Sequence, residues 1–329
     1  MFGRKRRRRG VAPVVALLVS AVVGFAILHT AQDRYGHDFG LPQISVPAIG
    51  GLLRPLAESV PPGGEAATPQ IDIAEDTVSV HFIDVGQGES ILILAPEKTV
   101  LIDGGDNGWG DTVLRYLRGQ GVSAIDILIA THPHADHIGG LIDVVAQLEI
   151  GQVILPELPD ELIPTTRTYT NFLLTLLERG LGITPAQAGD AFDLGGGAVL
   201  TILAPIREYT SVNDMSVVSR LEFGYTSFLF TGDIEIAAEH DLATAGGIQS
   251  TVLNIAHHGS RTSTTQVFLD AVSPDIAVIS CALDNQYGHP HRQTIERLQA
   301  IDALILRTDL DGSIVLTTNG KSIGVRTER

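Results

Sequence analysis

The run THPHADHIGGL (131–141) decides the reading. It follows the apolar stretch AIDILIAT (124–131), precedes a helical pattern, and sets His132, His134, Asp136 and His137 within six positions. In extended backbone alternate side chains point the same way, so His132 and His134 can converge on one ion. Asp136 and His137 follow at the turn into the helix, offset enough to serve a second. Imidazole and carboxylate without thiolate suit Zn²⁺, Mn²⁺ or Fe, and two ions a few ångströms apart can activate a water against an ester. The bland alternative is a polar turn with chance histidines. Three of the chain's eleven histidines inside six residues argue against it.

Outward from this run, short β-branched stretches recur: VSVHFIDV (78–85), SILILAP (90–96), KTVLIDGG (98–105), AVLTILAP (198–205), SFLFTGD (227–233), STVLNIAH (250–257), DIAVISCA (275–282) and ALILRTD (303–309). Each is bounded by Gly, Asp or Pro and reads as a strand. Amphipathic spacing predicts helices near 111–119, 138–148, 168–179, 234–244, 264–271 and 292–300. Early strands follow one another directly and later ones alternate with helices, which predicts an α/β (α+β) domain with mixed sheets. Several strands end in Asp84, Asp103, His132, Asp233 or His257. One such residue is ordinarily a turn-former or helix cap, but ligands in α/β folds gather where strands end, and five together predict a site.

The motifs HFIDVGQGES (81–90), LIDGG (101–105), THPHADHIGGL (131–141), FLFTGDIE (228–235), IAHHGS (255–260) and NQYGHPH (285–291) occur in this order. Over about residues 76–329 the series resembles the metallo-β-lactamase fold, and in particular the C-terminal domain of the ComEC family of bacterial competence proteins of DNA uptake. The resemblance implies a four-layer αββα sandwich with a dinuclear site along one edge, holding two divalent ions, Zn or Mn. It implies one ion on His132 and His134, a second on Asp136 and His137, and Asp233 as the bridging carboxylate. Asp136, Asp233 and His289 are the expected catalytic groups. IAHHGS should supply the last imidazole; period-two alternation with Leu253 and Ile255 favours His257 over His258, leaving the other to orient a ligand or touch substrate. Many superfamily members carry a further histidine between HxHxDH and TGD, and that interval has none here. Asn213 and Asp214 stand in it instead, and Asp214 is the candidate replacement ligand, or else a turn-former. An oxygen in place of nitrogen would make the site more tolerant of Mn²⁺.

The resemblance also implies that Asp103 orders the ligand loops through hydrogen bonds without touching metal. Asp84, with Gln87 and Glu89, forms a second polar turn that is either structural or lines the cleft. Ser260, His289 and His291 are expected at the substrate's phosphate, with His289 a candidate proton donor and a structural turn the alternative. Cys281, in an apolar strand, reads as an inert core thiol.

Composition places limits on this reading. The 329-residue chain has 38 Asp and Glu against 22 Lys and Arg, a formal charge of −16. Residues 1–9 hold six of the basic groups and no acid, so the rest sets 16 against 38 and carries −22. A surface that acidic does not attract polyanions by its bulk field, so a nucleic-acid substrate needs local basic groups or metal ions. One cysteine excludes an internal disulfide framework and a Cys-rich zinc module. No GxSxG, P-loop or dinucleotide fingerprint is present, which removes the serine hydrolase, nucleoside-triphosphatase and Rossmann readings.

Val11–Leu28 is eighteen residues without a charge, about 27 Å as a helix, and predicts a single transmembrane anchor. A cleaved signal peptide and a buried helix are the alternatives. The basic segment 1–10 then stays on the cytoplasmic side, and the rest lies outside the cytoplasm. Residues 29–75 read as a Pro/Gly-rich linker and 76–329 as one domain. The sequence thus predicts a membrane-anchored metallohydrolase working through a dinuclear-site hydroxide, most readily on phosphodiesters, DNA among them. The alternatives are hydrolysis of a small phosphoester, phosphorylcholine or another ester or lactam, and a tethered binding module without catalysis. One apolar segment cannot form a channel, so DNA translocation is excluded, and the sequence points to no protein partner.

Overall fold

Strict alternation along the strands determines which side chains meet inside. The computed structural model describes residues 76–329; the basic segment, the apolar stretch 11–28 and the linker fall outside the described residues. The strands are β1 (Val78–Phe82), β2 (Ile91–Leu94), β3 (Thr99–Ile102), β4 (Ala124–Ile129), β5 (Glu149–Leu155), β6 (Ile183–Pro185), β7 (Ala191–Asp193), β8 (Val199–Ala204), β9 (Val218–Phe223), β10 (Thr226–Phe230), β11 (Val252–Asn254), β12 (Ile276–Ile279), β13 (Leu304–Arg307), β14 (Ile314–Thr318) and β15 (Ile323–Thr327).

They form an eight-stranded sheet, β15-β14-β1-β2-β3-β4-β5-β6, and a seven-stranded sheet, β13-β12-β11-β10-β9-β8-β7. Both are mixed, as the sequence predicts. β3 to β6 run parallel while β1, β2 and β3 are antiparallel. In the second sheet β10 to β13 run parallel and β7 to β10 antiparallel.

Val80, Phe82, Ile91, Ile93, Val100, Ile102, Ile127 and Ile129 of the first sheet join Leu200, Ile202, Leu221, Phe228, Phe230, Val252 and Val278 of the second in one buried core between the sheets. Full burial of each such side chain contributes roughly 1.5–3 kcal/mol. The intervening residues face outward. Leu229, Leu253, Ala277 and Ile279 pack with Ala238, Leu242, Phe268, Leu269 and Leu298 from helices Ile236–Ala245, Gln266–Val272 and Arg292–Ala300. On the first sheet the outward Leu92, Leu101 and Leu128 are fully buried, and helices Gly110–Gly119, Leu141–Gln147 and Arg167–Glu178 bury Val113, Leu114, Val144, Val145 and Phe172. The result is the two-sheet sandwich with helices outside.

One expected helix is broken. The pattern over 138–148 resolves into Ala135–Ile138 and Leu141–Gln147, interrupted at Gly139–Gly140. A Cβ on Gly139 would strike the Asp106–Asn107 backbone, and one on Gly140 the carbonyl of Gly104. The break therefore lets the loop after β3 pass directly against the loop after β4, which brings the ligand loops together. No helix among the described residues is long and apolar enough to cross a membrane.

Candidate metal centre

The parallel blocks of both sheets send their strand ends to the same edge. β3 delivers Asp103, β4 the loop 131–137, β10 the turn Thr231–Gly232–Asp233, and β11 the turn Ala256–Gly259. Asp103 is fully buried with φ +57°, and its carboxylate spans two loops. Oδ1 accepts the Thr131 backbone N–H at 2.8 Å, and Oδ2 accepts both the Thr131 hydroxyl (2.6 Å) and His137 Nδ1 (2.6 Å). The Asp103 carboxylate accepts, so His137 keeps a proton on Nδ1 and turns Nε2 toward the centre.

The same device recurs. His258 Nδ1 donates to the Ser280 carbonyl at 2.9 Å. His132 Nδ1 lies 3.1 Å from the Thr131 hydroxyl, whose own proton goes to Asp103. Each ring therefore turns its Nε2 toward the centre, the nitrogen a metal ion would take in place of a proton. His132 Nε2 stands 3.6 Å from Asp233 Oδ2, His137 Nε2 3.2 Å from Oδ1, and His258 Nε2 3.8 Å from Oδ1 and 3.4 Å from Asp136 Oδ2. His134 Nδ1 is 3.0 Å from His132 Nε2.

The donor set tests positively for a divalent cation. His137 Nε2 and His258 Nε2 are buried and make no hydrogen bond, although carboxylate oxygens stand nearby. Buried polar atoms are rarely left so, and nitrogen lone pairs converging with carboxylate oxygens are what a cation satisfies. Three overlapping groups among the described residues bring their donor atoms within 4.8 Å of one another, His132 with His137 and Asp233, Asp136 with His137 and His258, and, beneath them, Glu89 with Asp103 and His137. Asp233, at the middle, can be shared.

Electrostatics follow from this crowding. Burial works against charge on Asp233, but the imidazoles of His137, His258 and His132 outweigh it and hold the carboxylate well below its ordinary range. Burial likewise depresses His137, yet Asp233 and Asp103 hold it well above the usual histidine value. His132, with less carboxylate compensation, is lowered by burial and then by the charge of His137.

Residues 83–282 match the family model of the metallo-beta-lactamase superfamily. The chain belongs to the metallo-beta-lactamase superfamily. Its relatives include ComE operon protein 3 of Bacillus subtilis (strain 168), 30% identical over 259 residues that cover 71% of this chain and 32% of that protein. Competence protein ComA of Neisseria gonorrhoeae is 30% identical over 266 residues, 80% of this chain and 35% of ComA. Recombination protein 2 of Haemophilus influenzae is 32% identical over 251 residues, 74% of this chain and 29% of that protein. The domain is ComEC-like, and the matches span about a third of these relatives' length.

Around this metallo-beta-lactamase centre the structure gathers His132, His134, Asp136, His137, Asp233, His257 and His258. It does not bring Asp214 there. Asp214 Oδ1 accepts the backbone N–H groups of Glu235 (2.8 Å) and Ala238 (3.3 Å), capping the helix that follows Asp233. Its Oδ1 thus holds the metallo-beta-lactamase TGD turn in place, and the carboxylate is in none of the groups whose donor atoms converge. The side chain that approaches the His132 side is His257, whose Nε2 is 3.7 Å from Asp233 Oδ2, with Nδ1 3.5 Å from Glu235 Oε1.

Strand alternation does not separate the two histidines, because β11 ends at Asn254 and His257 and His258 both adopt left-handed backbone, φ +54° and +55°. That turn points both rings inward. His257 and exposed His134 form the solvent side of the centre, and His258 and His137 its buried side.

His289 lies beside the cluster, its ring 5.6 Å from His257 and 6.3 Å from His258, with Tyr287 stacked on its outer face at 5.6 Å. Burial and the neighbouring His258 and His257 lower its pKa to about 4. His291 packs on His289 with ring centroids 4.9 Å apart, and its Nδ1 accepts the Arg261 backbone N–H at 3.1 Å. Ser260 is buried with its hydroxyl bonded to Thr262 at 2.9 Å, so it shapes the loop and does not reach the centre. Asp84 is likewise remote, with its carboxylate on Arg329 (2.9 Å) and the Gly86 N–H (3.2 Å).

Three contributors carry weaker sequence signals. Thr131 precedes the first histidine, Glu235 follows Asp233, and Glu89 is sealed beneath the site with Oε2 accepting from Asn254 at 2.8 Å. Burial pushes Glu89 up to about 7. All three lie within the motifs, but their roles depend on contacts between loops far apart in sequence.

Proposed function

We propose that the domain is a metal-dependent phosphodiesterase. The observation that carries this reading is Asp233, whose Oδ2 faces His132 and His257 and whose Oδ1 faces His137 and His258, with His134 beside His132 and Asp136 beside His258. Two divalent ions, zinc or manganese, held by these residues would supply Lewis acidity and a water activated for attack on phosphorus. The chain's own groups do the positioning. Asp103 and the Ser280 carbonyl hold His137 and His258 in the ligand tautomer. His134 and His257 border the open side, where a phosphate enters. His289 stands next to His257, its ring 5.6 Å away, where an imidazole N–H can donate to the phosphate.

The ComEC likeness supports DNA as the phosphodiester, and the eighteen-residue apolar stretch supports a membrane anchor that places the domain outside the cytoplasm. The acidic surface supports contact confined to the scissile phosphate rather than tight binding along a strand.

The test is turnover by the purified chain after EDTA treatment and add-back of Zn²⁺ or Mn²⁺. Its substrates are bis-p-nitrophenyl phosphate, circular and single-stranded DNA, a phosphorylcholine ester and a β-lactam. Metal-dependent cleavage of the diester and of DNA is expected. A chain that binds two ions and cleaves none of the phosphoesters refutes the reading; cleavage of the lactam or choline ester alone assigns the site to the smaller substrate.

A further inference from the structure

His81 opens the HFIDVGQGES segment yet faces away from the metal centre. On the outer face of the first sheet a cross-strand row runs Arg326, Val315, His81, Leu92, Leu101 through registered partners. Toward the middle of the sheet the row is apolar and fully buried. Toward β15 it turns polar and opens into a cavity of about 490 Å³, whose wall includes Arg115, Tyr116, Ser313, Arg326 and Arg329. His81 lies buried behind this wall at 2% exposure, its Nδ1 3.0 Å from the hydroxyl of the lining Tyr116 and its Nε2 2.9 Å from Ser79 Oγ.

The charges in this wall do not cancel internally. Three guanidiniums stand against two carboxylates: Asp84 is paired with Arg329 at 2.9 Å, and Glu328 keeps its charge while its Oε2 accepts the Ser313 backbone N–H at 3.0 Å. Arg115 and Arg326 are exposed and have no ion pair among the described residues. In a chain where acids outnumber bases 38 to 22, partners for a guanidinium are plentiful, so two unpaired ones in one concavity call for an external anion. Tyr116 and Ser313 add hydroxyl donors. Ile83, Val315 and the Tyr116 ring supply an apolar wall, and the volume is within the ~300–1,000 Å³ of small-molecule sites, well above a bare phosphate.

We propose that this cavity binds a phosphomonoester of nucleotide size, with its phosphate held between Arg115 and Arg326. The lowered pKa of His81 fits, because burial and then the Arg326 charge keep that imidazole neutral at pH 7, leaving the guanidinium undistracted by a buried cation's own counter-ion. The cavity shares no residue with the metal centre, so the site is independent of the phosphodiesterase reading.

The experiment is calorimetric titration of the full chain, stripped with EDTA, with adenosine 5′-monophosphate, inorganic phosphate and adenosine. Saturable one-to-one binding of the nucleotide, weaker binding of phosphate and none of adenosine are expected. The Arg115→Gln/Arg326→Gln double variant should weaken nucleotide binding on the order of tenfold or more. His134→Ala, in the metal centre, and Arg118→Gln, on the same helix as Arg115 but with its guanidinium bonded to Gln147 of the helix Leu141–Gln147, should leave it unchanged. Both cavity arginines are exposed, and an unchanged thermal transition verifies the variant's fold. The proposal is overturned by absence of nucleotide binding at millimolar concentration, by binding undiminished in the double variant, by loss in His134→Ala, or by adenosine binding as well as the nucleotide.

Discussion

Asp103 holds His137 by its Nδ1 at 2.6 Å, and the opposite ring nitrogen thereby stands 3.2 Å from the shared carboxylate of Asp233. The contact sets a tautomer and an angle at once. In Asp103→Asn the amide group can place a donor against Nδ1, which favours the wrong tautomer. The apparent metal affinity should fall about 10–100-fold, read by competition with a chromogenic chelator. Loss of the charge-assisted bonds to Thr131 should also lower stability by about 1–3 kcal/mol in urea. Undiminished affinity would show that Asp103 does not position the ring.

Asp233 sits where both sets meet, so its removal should affect both ions. Asp233→Ala should reduce bound zinc or manganese from about two per chain to one or none, measured by atomic emission after equilibration, and abolish hydrolysis of bis-p-nitrophenyl phosphate. Two ions retained in the variant would mean that the carboxylate is not shared.

Asp214 separates capping from ligation. As a cap on Ile236–Ala245 through Glu235 and Ala238, its replacement in Asp214→Ala should cost about 0.5–2 kcal/mol of stability while metal content stays at the wild-type value. Loss of an ion with stability unchanged would restore it as a ligand.

Much of the centre was legible because its ligands lie in short runs whose spacing is itself the geometry. THPHADH needs only strand alternation and one turn to bring three side chains together, and TGD needs only a buried strand ending at Asp233. What the sequence hid depends on loops that meet across the sandwich. Asp214 has the position of a missing ligand in sequence, but only the fold shows its carboxylate committed to the Glu235 backbone. The choice between His257 and His258 fails for a related reason, since alternation stops at Asn254 and two successive left-handed residues redirect both rings. The apolar stretches read as strands do not include β5, β6, β7, β9, β14 or β15, although β5 and β14 carry the three-residue runs Val153–Leu155 and Ile314–Leu316. Val218–Phe223 carries Arg220 and Glu222 on one face, and Ile323–Thr327 is an edge strand that is largely exposed, so neither resembles a core strand by composition. The single helix expected over 138–148 was divided by two glycines whose reason for being there is the backbone of residues 104–107.

His81 supplies a pH test that leaves the metal ligands untouched. Burial first, and the charge of Arg326 second, lower its pKa to about 4, against an ordinary histidine value near 6.5 in the unfolded chain. The unfolded state therefore binds the proton first as pH falls. A depressed folded pKa contributes stability that is fully present above about pH 6.5 and is lost progressively down to about pH 4. The span of about 2.5 pH units corresponds to about 3 kcal/mol for a residue this buried. His81→Gln has no proton to take up, so the difference in unfolding free energy between wild type and variant should shift by about that amount between pH 7 and pH 4, wild type losing more. Urea titrations of both proteins in EDTA across this range measure it. The variant forfeits some of the bonding to Tyr116 and Ser79 at every pH, which offsets the two curves without changing their slopes. Parallel curves would mean that His81 titrates normally and that the Arg326 guanidinium does not act on it.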